Sequence, residues 1–468
     1  VNFSLIDNPR QTIRWDEALI RRYDVAGPRY TSYPTANHFH EEFTLEDYRS
    51  ACAEGNAANK PLSLYVHIPF CATVCYYCAC NKIVTANRAR AREYLDLLKR
   101  EITLQGALFE GSRPVVQLHW GGGTPTFLSG AEMTELMHHT ARSFRLLEGD
   151  RGEYSIEIDP RTVNEGDVGL LRALGFNRLS LGVQDFNPDV QAAVNRFQTR
   201  EQVLRVADAA RNYGFRSISF DLIYGLPRQT RDSFRRTLDE VIALSPDRLS
   251  VFNYAHLPSR FKTQRQIDEA QLPAPAVKLQ ILQDTIAGLM DAGYVYIGMD
   301  HFARPDDELA VALRQGTLQR NFQGYSTRGG ADLVGLGLSS IGAVGNTYAQ
   351  NAKGMAAYAD ALGQGQLPLE RGLAMTPDDL LRRDVIMTLI CKGELQMGEI
   401  GRRHGIVFWR YFADELTRME AMQADGLVEI NNGLIRISPK GRLLARNVCM
   451  LFDQYQAAAP GTGFSRVI

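Results

Sequence analysis

The sequence predicts an α/β fold: a parallel sheet built from six β–α repeats, open or closed into a partial (β/α)6 barrel. An N-terminal arm precedes it, and a mostly helical, winged-helix-like region follows. Three observations carry this reading. Apolar runs rich in β-formers recur at Leu62–Ile68, Val115–Trp120, Tyr154–Ile158, Arg178–Val183, Ser217–Ile223 and Arg248–Phe252, with helical stretches between them. Six β–α repeats with buried strands make a parallel sheet. Each Gly-rich or unusually polar string lies at the C-terminal end of one of these runs, where such sheets place their ligand sites.

Taken in order, residues 1–60 form the arm. Thr44-Leu45-Glu46-Asp47 reads as a helix start, a hydroxyl cap followed by early acids. Ahead of it, Gly27-Pro28-Arg29-Tyr30-Thr31-Ser32-Tyr33-Pro34-Thr35 predicts an irregular loop, by composition a surface loop carrying stacked tyrosines. Residues 61–362 hold the repeats and their extension. Ser129-Gly130-Ala131-Glu132 and Thr199-Arg200-Glu201-Gln202 are capping-box patterns, and Gly175 and Gly214 stand where helices stop. Beyond Tyr294 the rhythm breaks, and the glycine-rich stretch 321–346 reads as loops packed on the core, with Ile341 and Gly342 returning toward the site.

The cluster of Gly363, Gly365, Pro368 and Gly372 suggests a boundary, so 363–468 reads as a helical cap. Thr376-Pro377-Asp378-Asp379 is a cap, a first-turn proline and two acids. Around Asn432-Gly433 a hairpin is expected, the wing of a winged helix whose recognition helix falls near Val407–Glu420. That helix mixes acids with arginines, so a substrate-covering cap is expected and a nucleic-acid partner is not.

The first exit is Cys71-Ala72-Thr73-Val74-Cys75-Tyr76-Tyr77-Cys78-Ala79-Cys80, which holds four of the seven cysteines. Thiolates this close are metal ligands or a redox pair, and an iron–sulfur cube takes four ligands. A zinc knot more often splits its cysteines into two separated pairs. Cys52, Cys391 and Cys449 stand singly and read as small buried hydrophobes. The other exits carry Gly121-Gly122-Gly123-Thr124-Pro125, Glu157 with Asp159-Pro160-Arg161, Gln184-Asp185, Asp221 and Asn253-Tyr254-Ala255-His256. Together they predict one large site built from six loops.

A formal net charge of −1 excludes a global field for nucleic acid or anionic membranes. No apolar run reaches the roughly 18–20 residues of a membrane helix, and the charged start (Arg10, Arg14, Asp16, Glu17) lacks a signal-peptide core. A cytoplasmic monomer is expected, since no coiled coil or apolar repeat argues for a dimer.

In the Cys71-x3-Cys75-x2-Cys78 spacing, with Tyr77 before the third cysteine, the loop resembles that of the radical S-adenosylmethionine (SAM) enzymes. The longer string from His67 to Lys82, with its fourth cysteine, is similar to the oxygen-independent coproporphyrinogen III oxidases of the bacterial haem pathway. The Gly27–Thr35 string and the terminal Phe464-Ser465-Arg466-Val467-Ile468 extend that resemblance over nearly the whole chain. It implies a radical-SAM barrel in which Cys71, Cys75 and Cys78 hold three irons of a 4Fe-4S cluster, and SAM chelates the fourth iron. Cys80 could ligate by residue type; the resemblance places it near the site without a ligand role.

The resemblance further implies that Gly121, Gly122 and Gly123 meet the methionine part of SAM by backbone contacts and that Glu157 takes its ribose hydroxyls. Tyr65 and Ile341 would lie beside the same molecule. A second SAM would meet Tyr77, Gly123, Thr124, Gln184, Arg196, Asp221 and Ala255. The substrate implied is coproporphyrinogen III, two of whose propionates lose carbon dioxide to become vinyl groups in protoporphyrinogen IX. Arg29, Arg161 and His301 are the candidate propionate partners, and the arm would lie over the active-site mouth. An electron donor of the flavodoxin or ferredoxin kind and an electron acceptor are implied without a motif to identify them. The alternative is a haem chaperone on the same fold, but those relatives usually lack the fourth cysteine and the Pro-Arg-Tyr-Thr-Ser-Tyr-Pro string, both present here.

Overall fold

The computed structural model describes residues 2–3 and 12–458. Arg10 and the string from Phe464 to Ile468 lie outside the described residues. The chain forms two compact units that do not follow chain order. The larger comprises 39–274 and 330–374; the smaller comprises the segments up to His38, 275–329 and from Met375 onward.

The larger unit is an α/β body. Its parallel strands are β1 (Leu62–Ile68), β2 (Pro114–Gly122), β3 (Glu153–Ile158), β4 (Arg178–Gln184), β5 (Ser217–Tyr224) and β6 (Arg248–Asn253). They lie side by side in the order β6-β5-β4-β3-β2-β1, each paired in parallel with its neighbours. The strand path does not return on itself, so the sheet is open rather than a closed barrel. Every side chain of β1 except Tyr65 is buried, the polar Ser63 and His67 among them, so the strand is covered on both faces.

Helices cross between the strands with the expected caps. Ser129 and Thr199 each accept the backbone N–H three residues on, and Glu132 and Gln202 reach back to close the box. Gly175 and Gly214 follow helices with φ of +96° and +75°, a region costly for side-chain-bearing residues.

The stretch 321–346, expected as loops, contains strands along about half of its length. Here β7 (Asp332–Leu336) pairs in parallel with β1, and β8 (Ile341–Val344), β9 (Thr347–Asn351) and β10 (Leu369–Ala374) follow antiparallel. The glycines that suggested loops permit close strand approach instead. A Cβ on Gly335 would lie 2.7 Å from the Ile341 backbone, and one on Gly342 would lie 3.0 Å from the Leu333 carbonyl oxygen. Buried Arg113, entering β2, pairs with Asp332 at the start of β7 at 2.5 Å and ties this extension to the core.

In the smaller unit the Gly27–Thr35 segment is not a surface loop, because Tyr30 and Tyr33 are 1% and 0% exposed. The Tyr30 hydroxyl donates to Asp453 at 2.9 Å, and that of Tyr33 accepts from the Gln454 N–H at 3.2 Å. The wing is present: Val428–Asn431 and Leu434–Ile437 pair across Asn432 (φ +50°) and Gly433 (φ +78°). The expected recognition helix is broken into Phe408–Tyr411 and Ala413–Ala424. Fully buried Phe412 makes the break, its ring 5.2 Å from Phe452 and 4.8 Å from Phe408. Cys52, Cys391 and Cys449 are buried. Among the described residues no helix is long and apolar enough to cross a membrane.

Candidate active site

The strand exits of the larger unit enclose a cavity of about 480 Å³. Its wall includes all four cysteines of the loop, Tyr77, Gly122 to Thr124, Glu157, Arg161, Gln184, Arg196 and Asp221. Residues from six separate chain segments meet there because parallel strands all end on the same side.

The cysteine loop is held by its own backbone and by two neighbours. Phe70 and Cys71 pair with Ile83 and Val84, so the loop closes at its base. The Asn195 amide donates to the Val74 carbonyl at 2.8 Å, and the Tyr76 N–H donates to Val194 at 3.0 Å. From the segment after β6, Thr263 donates to the Cys78 carbonyl at 3.1 Å and Gln264 to that of Tyr77 at 3.0 Å. Lys82 adds a bond to the Cys78 carbonyl at 2.9 Å.

The thiols face different partners. The Thr124 hydroxyl donates to Cys71 Sγ at 3.6 Å, and Arg196 Nη1 donates to Cys75 Sγ at 3.6 Å. Burial pushes the Cys71 thiol up to about 11. A hydrogen bond from Cys80, helped by Lys82, outweighs burial at Cys78 and draws it down to about 6. Three thiols spread around one loop suit a cluster, where each cysteine takes a different iron. The donor set therefore fits an iron–sulfur cluster.

The three glycines make room. A Cβ on Gly121 would sit 2.7 Å from Glu157 Oε1, and one on Gly123 would sit 2.7 Å from the Phe70 carbonyl oxygen. The Gly123 and Thr124 N–H groups donate back to Ile68 and Phe70, both at 2.8 Å. The exit of β2 is thereby pressed against the cysteine loop. The N–H of Gly122 donates to Glu157 Oε2 at 3.0 Å, and His119 Nε2 lies 3.3 Å from Oε1. Burial pushes the Glu157 carboxyl up, but these bonds and the His119 ring outweigh it and hold the group below the usual range. Its side chain remains 42% exposed toward the cavity.

Arg196 is not a surface arginine; it is 7% exposed. Its guanidinium reaches Asp159 at 3.3 Å and the Gly182 carbonyl at 2.6 Å, while Nε is buried without a hydrogen-bond partner. An orphaned guanidinium N–H on a cavity wall fits a carboxylate ligand. Asp221 receives a hydrogen bond from Ser180 at 2.9 Å. Burial and the charge of Glu157 push Asp221 up to about 6. Gln184 has φ +67°, and a Cβ on Gly182 would meet its amide at 2.8 Å. A left-handed non-glycine residue at a site is the kind of backbone strain that surrounding structure must hold.

Two family descriptions match the chain: the Radical SAM superfamily over residues 65–241 and the HemN C-terminal domain over 375–444. The oxygen-independent coproporphyrinogen III oxidase of Pseudomonas aeruginosa is 55% identical over 98% of this chain and 99% of its own length. That of Escherichia coli is 51% identical with the same coverage. The solved structure of the Escherichia coli enzyme, described as a radical SAM enzyme, superposes with a TM-score of 0.90 over 95% of this chain and 99% of that one. The chain belongs to the oxygen-independent coproporphyrinogen III oxidase family. It is a radical SAM enzyme, and membership implies a 4Fe-4S cluster and SAM.

Within this oxidase chain, not every expected residue lines the cavity. Tyr65 stands behind it on β1, stacked on His119 with ring centroids 5.8 Å apart. Gly121 backs Glu157, Ala255 accepts from Gln264 at 3.3 Å, and Ile341 opens β8. Arg161 lines the wall but grips Asp159 through Nε at 2.9 Å and Nη2 at 2.6 Å. Arg29 and His301 belong to the smaller unit, where Arg29 is engaged with Asp300 and His301 meets the Tyr325 ring edge-on at 5.3 Å.

Sequence reasoning did not single out His119, and it named His67 and Asp159 without giving either a role. Asp159 joins both arginines. Tyr65 OH lies 3.1 Å from His67 Nδ1, and His67 Nε2 lies 2.9 Å from the Asn81 carbonyl, so a hydrogen-bonded chain runs from just past Cys80 to Tyr65, whose ring stacks on His119 beside Glu157. Part of the signal was in the sequence, since Tyr65 and His67 alternate onto one face of β1; that His119 lies opposite Tyr65 comes only from the register.

Proposed function

We propose that this chain carries out oxygen-independent oxidative decarboxylation of two propionates of coproporphyrinogen III, giving protoporphyrinogen IX and carbon dioxide, with one electron per propionate passing to an external electron acceptor. The observation that carries the reading is the meeting in one cavity of the cysteine loop, Glu157, Arg196 and Asp221 in a chain 55% identical to such an oxidase. When bound, the cluster and SAM supply an electron and a carbon radical that takes a hydrogen atom from a propionate side chain. Cys71, Cys75 and Cys78 hold the cluster, and Cys80 is left beside it.

The remaining residues bind and orient. Glu157, ionised and open to the cavity, accepts from two adjacent ribose hydroxyls. Arg196 offers its unpartnered Nε to a carboxylate. Two carboxylates in one wall, Glu157 and Asp221, suit cofactors carrying a cationic sulfonium, and a bound cation offsets the burial and the Glu157 charge that raise Asp221. Gly121 to Gly123, Tyr65 and Ile341 accompany the first SAM. Tyr77, Gly123, Thr124, Gln184 and Ala255 join Arg196 and Asp221 around the second. Arg161, Arg29 and His301 are the proposed propionate partners; if Arg29→Ala leaves substrate affinity unchanged, Arg29 has no such role.

The test is an anaerobic assay of reconstituted protein with dithionite, SAM and coproporphyrinogen III. Expected are 5′-deoxyadenosine and protoporphyrin together, about two of the first for each of the second, one per propionate. Deoxyadenosine without porphyrin keeps the radical chemistry and removes this substrate. Neither product from protein with an intact cluster favours the chaperone.

A further inference from the structure

The rim of the cysteine loop has an unusual charge. Asp and Glu make up 53 of 468 residues in a chain of net charge −1. Yet the loop and its continuation, 68–92, contain no acid and carry Lys82, Arg88, Arg90 and Arg92. The two segments hydrogen-bonded to the loop are also acid-free: 190–200, with Arg196 and Arg200, and 254–267, with Arg260, Lys262 and Arg265.

Arg88, Arg90, Arg260, Lys262 and Arg265 are exposed. Among them stand three exposed apolar side chains, Val84 at 43%, Phe197 at 61% and Leu257 at 37%. Val84 pairs directly with Cys71, and Phe197 follows Arg196, whose guanidinium bonds Cys75. Arg92 bridges Glu135 and Asp96, and Arg200 lies 3.7 Å from Glu240, so the surface charge of the rim rests on Arg88, Arg90, Arg260, Lys262 and Arg265. Asp159 is held by Arg161 and Arg196, Glu157 faces the cavity, and Glu269 lies 3.1 Å from His256 beyond the acid-free segment.

We propose that this rim is the docking surface for an acidic one-electron carrier protein that reduces the cluster. The proposal rests on the radical SAM reading above and says where the electron enters. Lys262 and Arg265 flank Thr263 and Gln264, which bond the Cys78 and Tyr77 carbonyls, so a carrier seated there lies against the cluster loop. Electron-transfer encounters use small interfaces, with charge steering the approach and a few apolar contacts at the centre. The exposed cations and the exposed apolar Val84, Phe197 and Leu257, carried on the loop and on the two segments bonded to it, supply both. One electron leaves the carrier's cofactor and enters the cluster; no bond is made or broken.

The test uses the full reconstituted chain and an acidic flavodoxin in its oxidised form, with affinity read by calorimetry at low and high salt. The variant Arg260→Glu/Lys262→Glu/Arg265→Glu touches no residue assigned to cofactor or substrate. Its thermal midpoint reports folding, and Phe197→Ser/Leu257→Ser is a second variant with no charge change. Expected is weakening of flavodoxin binding by about tenfold or more in the charge variant, with loss of salt dependence. The apolar variant weakens binding at both salt concentrations. With excess dithionite both variants still form 5′-deoxyadenosine at the parent rate. Unchanged flavodoxin affinity in both folded variants overturns the proposal. So does a single-stranded oligonucleotide that binds as tightly and responds to the same substitutions. Loss of dithionite-driven deoxyadenosine in the parent chain would instead count against the radical SAM reading.

Discussion

At the scale of single residues, the cavity separates groups of similar chemistry by their surroundings. Glu157 and Asp221 are both carboxylates on one wall, yet Glu157 is held ionised by the Gly122 N–H and His119, while Asp221 is pushed up to about 6. Glu157→Gln keeps the shape and removes the charged acceptor. It is expected to raise the KM for SAM by about 10- to 100-fold, or about 1.5–3 kcal/mol. An unchanged KM would remove Glu157 from the ribose. The cysteines separate similarly. Cys71 and Cys75 accept bonds from Thr124 and Arg196, whereas exposed Cys80 donates toward Cys78. Cys75→Ser should lose most of the bound iron, while Cys80→Ser should keep it. Equal iron loss in both would make Cys80 a ligand. The four cysteines and three glycines were legible because unusual residues at short spacing survive without structural context. His119 was not, because a lone histidine within an apolar strand carries no signal until its register opposite Tyr65 is known.

At the scale of elements, the six strands and the capped helices follow the sequence closely, and the extension does not. Gly335 and Gly342 looked like loop residues and proved to be strand residues, since glycine weakens local strand preference but permits close tertiary contact. The extension is tied down by Glu101, on the helix Ala89–Gly106. Its carboxyl accepts from the Gly337 N–H at 2.8 Å, from Asn351 at 2.6 Å and from the Tyr358 hydroxyl at 2.5 Å. Burial outweighs these donors and pushes Glu101 up to about 7. In the unfolded chain its carboxyl titrates at its ordinary value of 4.5. As pH rises from there the unfolded state loses its proton first, so stability present at low pH is lost up to about 7. Across that window the stability of the parent should fall relative to Glu101→Gln by about 3 kcal/mol in denaturant titrations. A difference that does not vary with pH would mean that Glu101 is ionised throughout.

At the scale of the whole molecule, the site belongs to the larger unit, whose loop thiols, glycines and carboxylates are all drawn from strand exits. A cluster bound only by the folded chain must stabilise it by mass action. Reconstitution with iron and sulfide is expected to raise the thermal midpoint by several degrees. The variant Cys71→Ser/Cys75→Ser/Cys78→Ser should show no rise under the same treatment. A rise that persists in that variant would place the bound iron elsewhere. The two units interleave in sequence, with 275–329 leaving the larger body and the chain returning at Gly330. Pro273, Pro275, Gly329 and Gly330 stand at those crossings, but such residues punctuate turns throughout the chain and do not by themselves say where two units part.

By itself the sequence determined the strand order along the chain, the helix caps, the cysteine loop and the side of the sheet on which a ligand would sit. These depend on local periodicity, on capping chemistry and on the rule that parallel strands share one direction. Only the tertiary structure decided that the glycine-rich stretch contributes strands to the sheet, that Tyr30 and Tyr33 are core, and that Arg161 and Arg196 share Asp159. The reason is physical: each of those facts depends on which distant residue lies opposite, and spacing along the chain carries no information about distance across it.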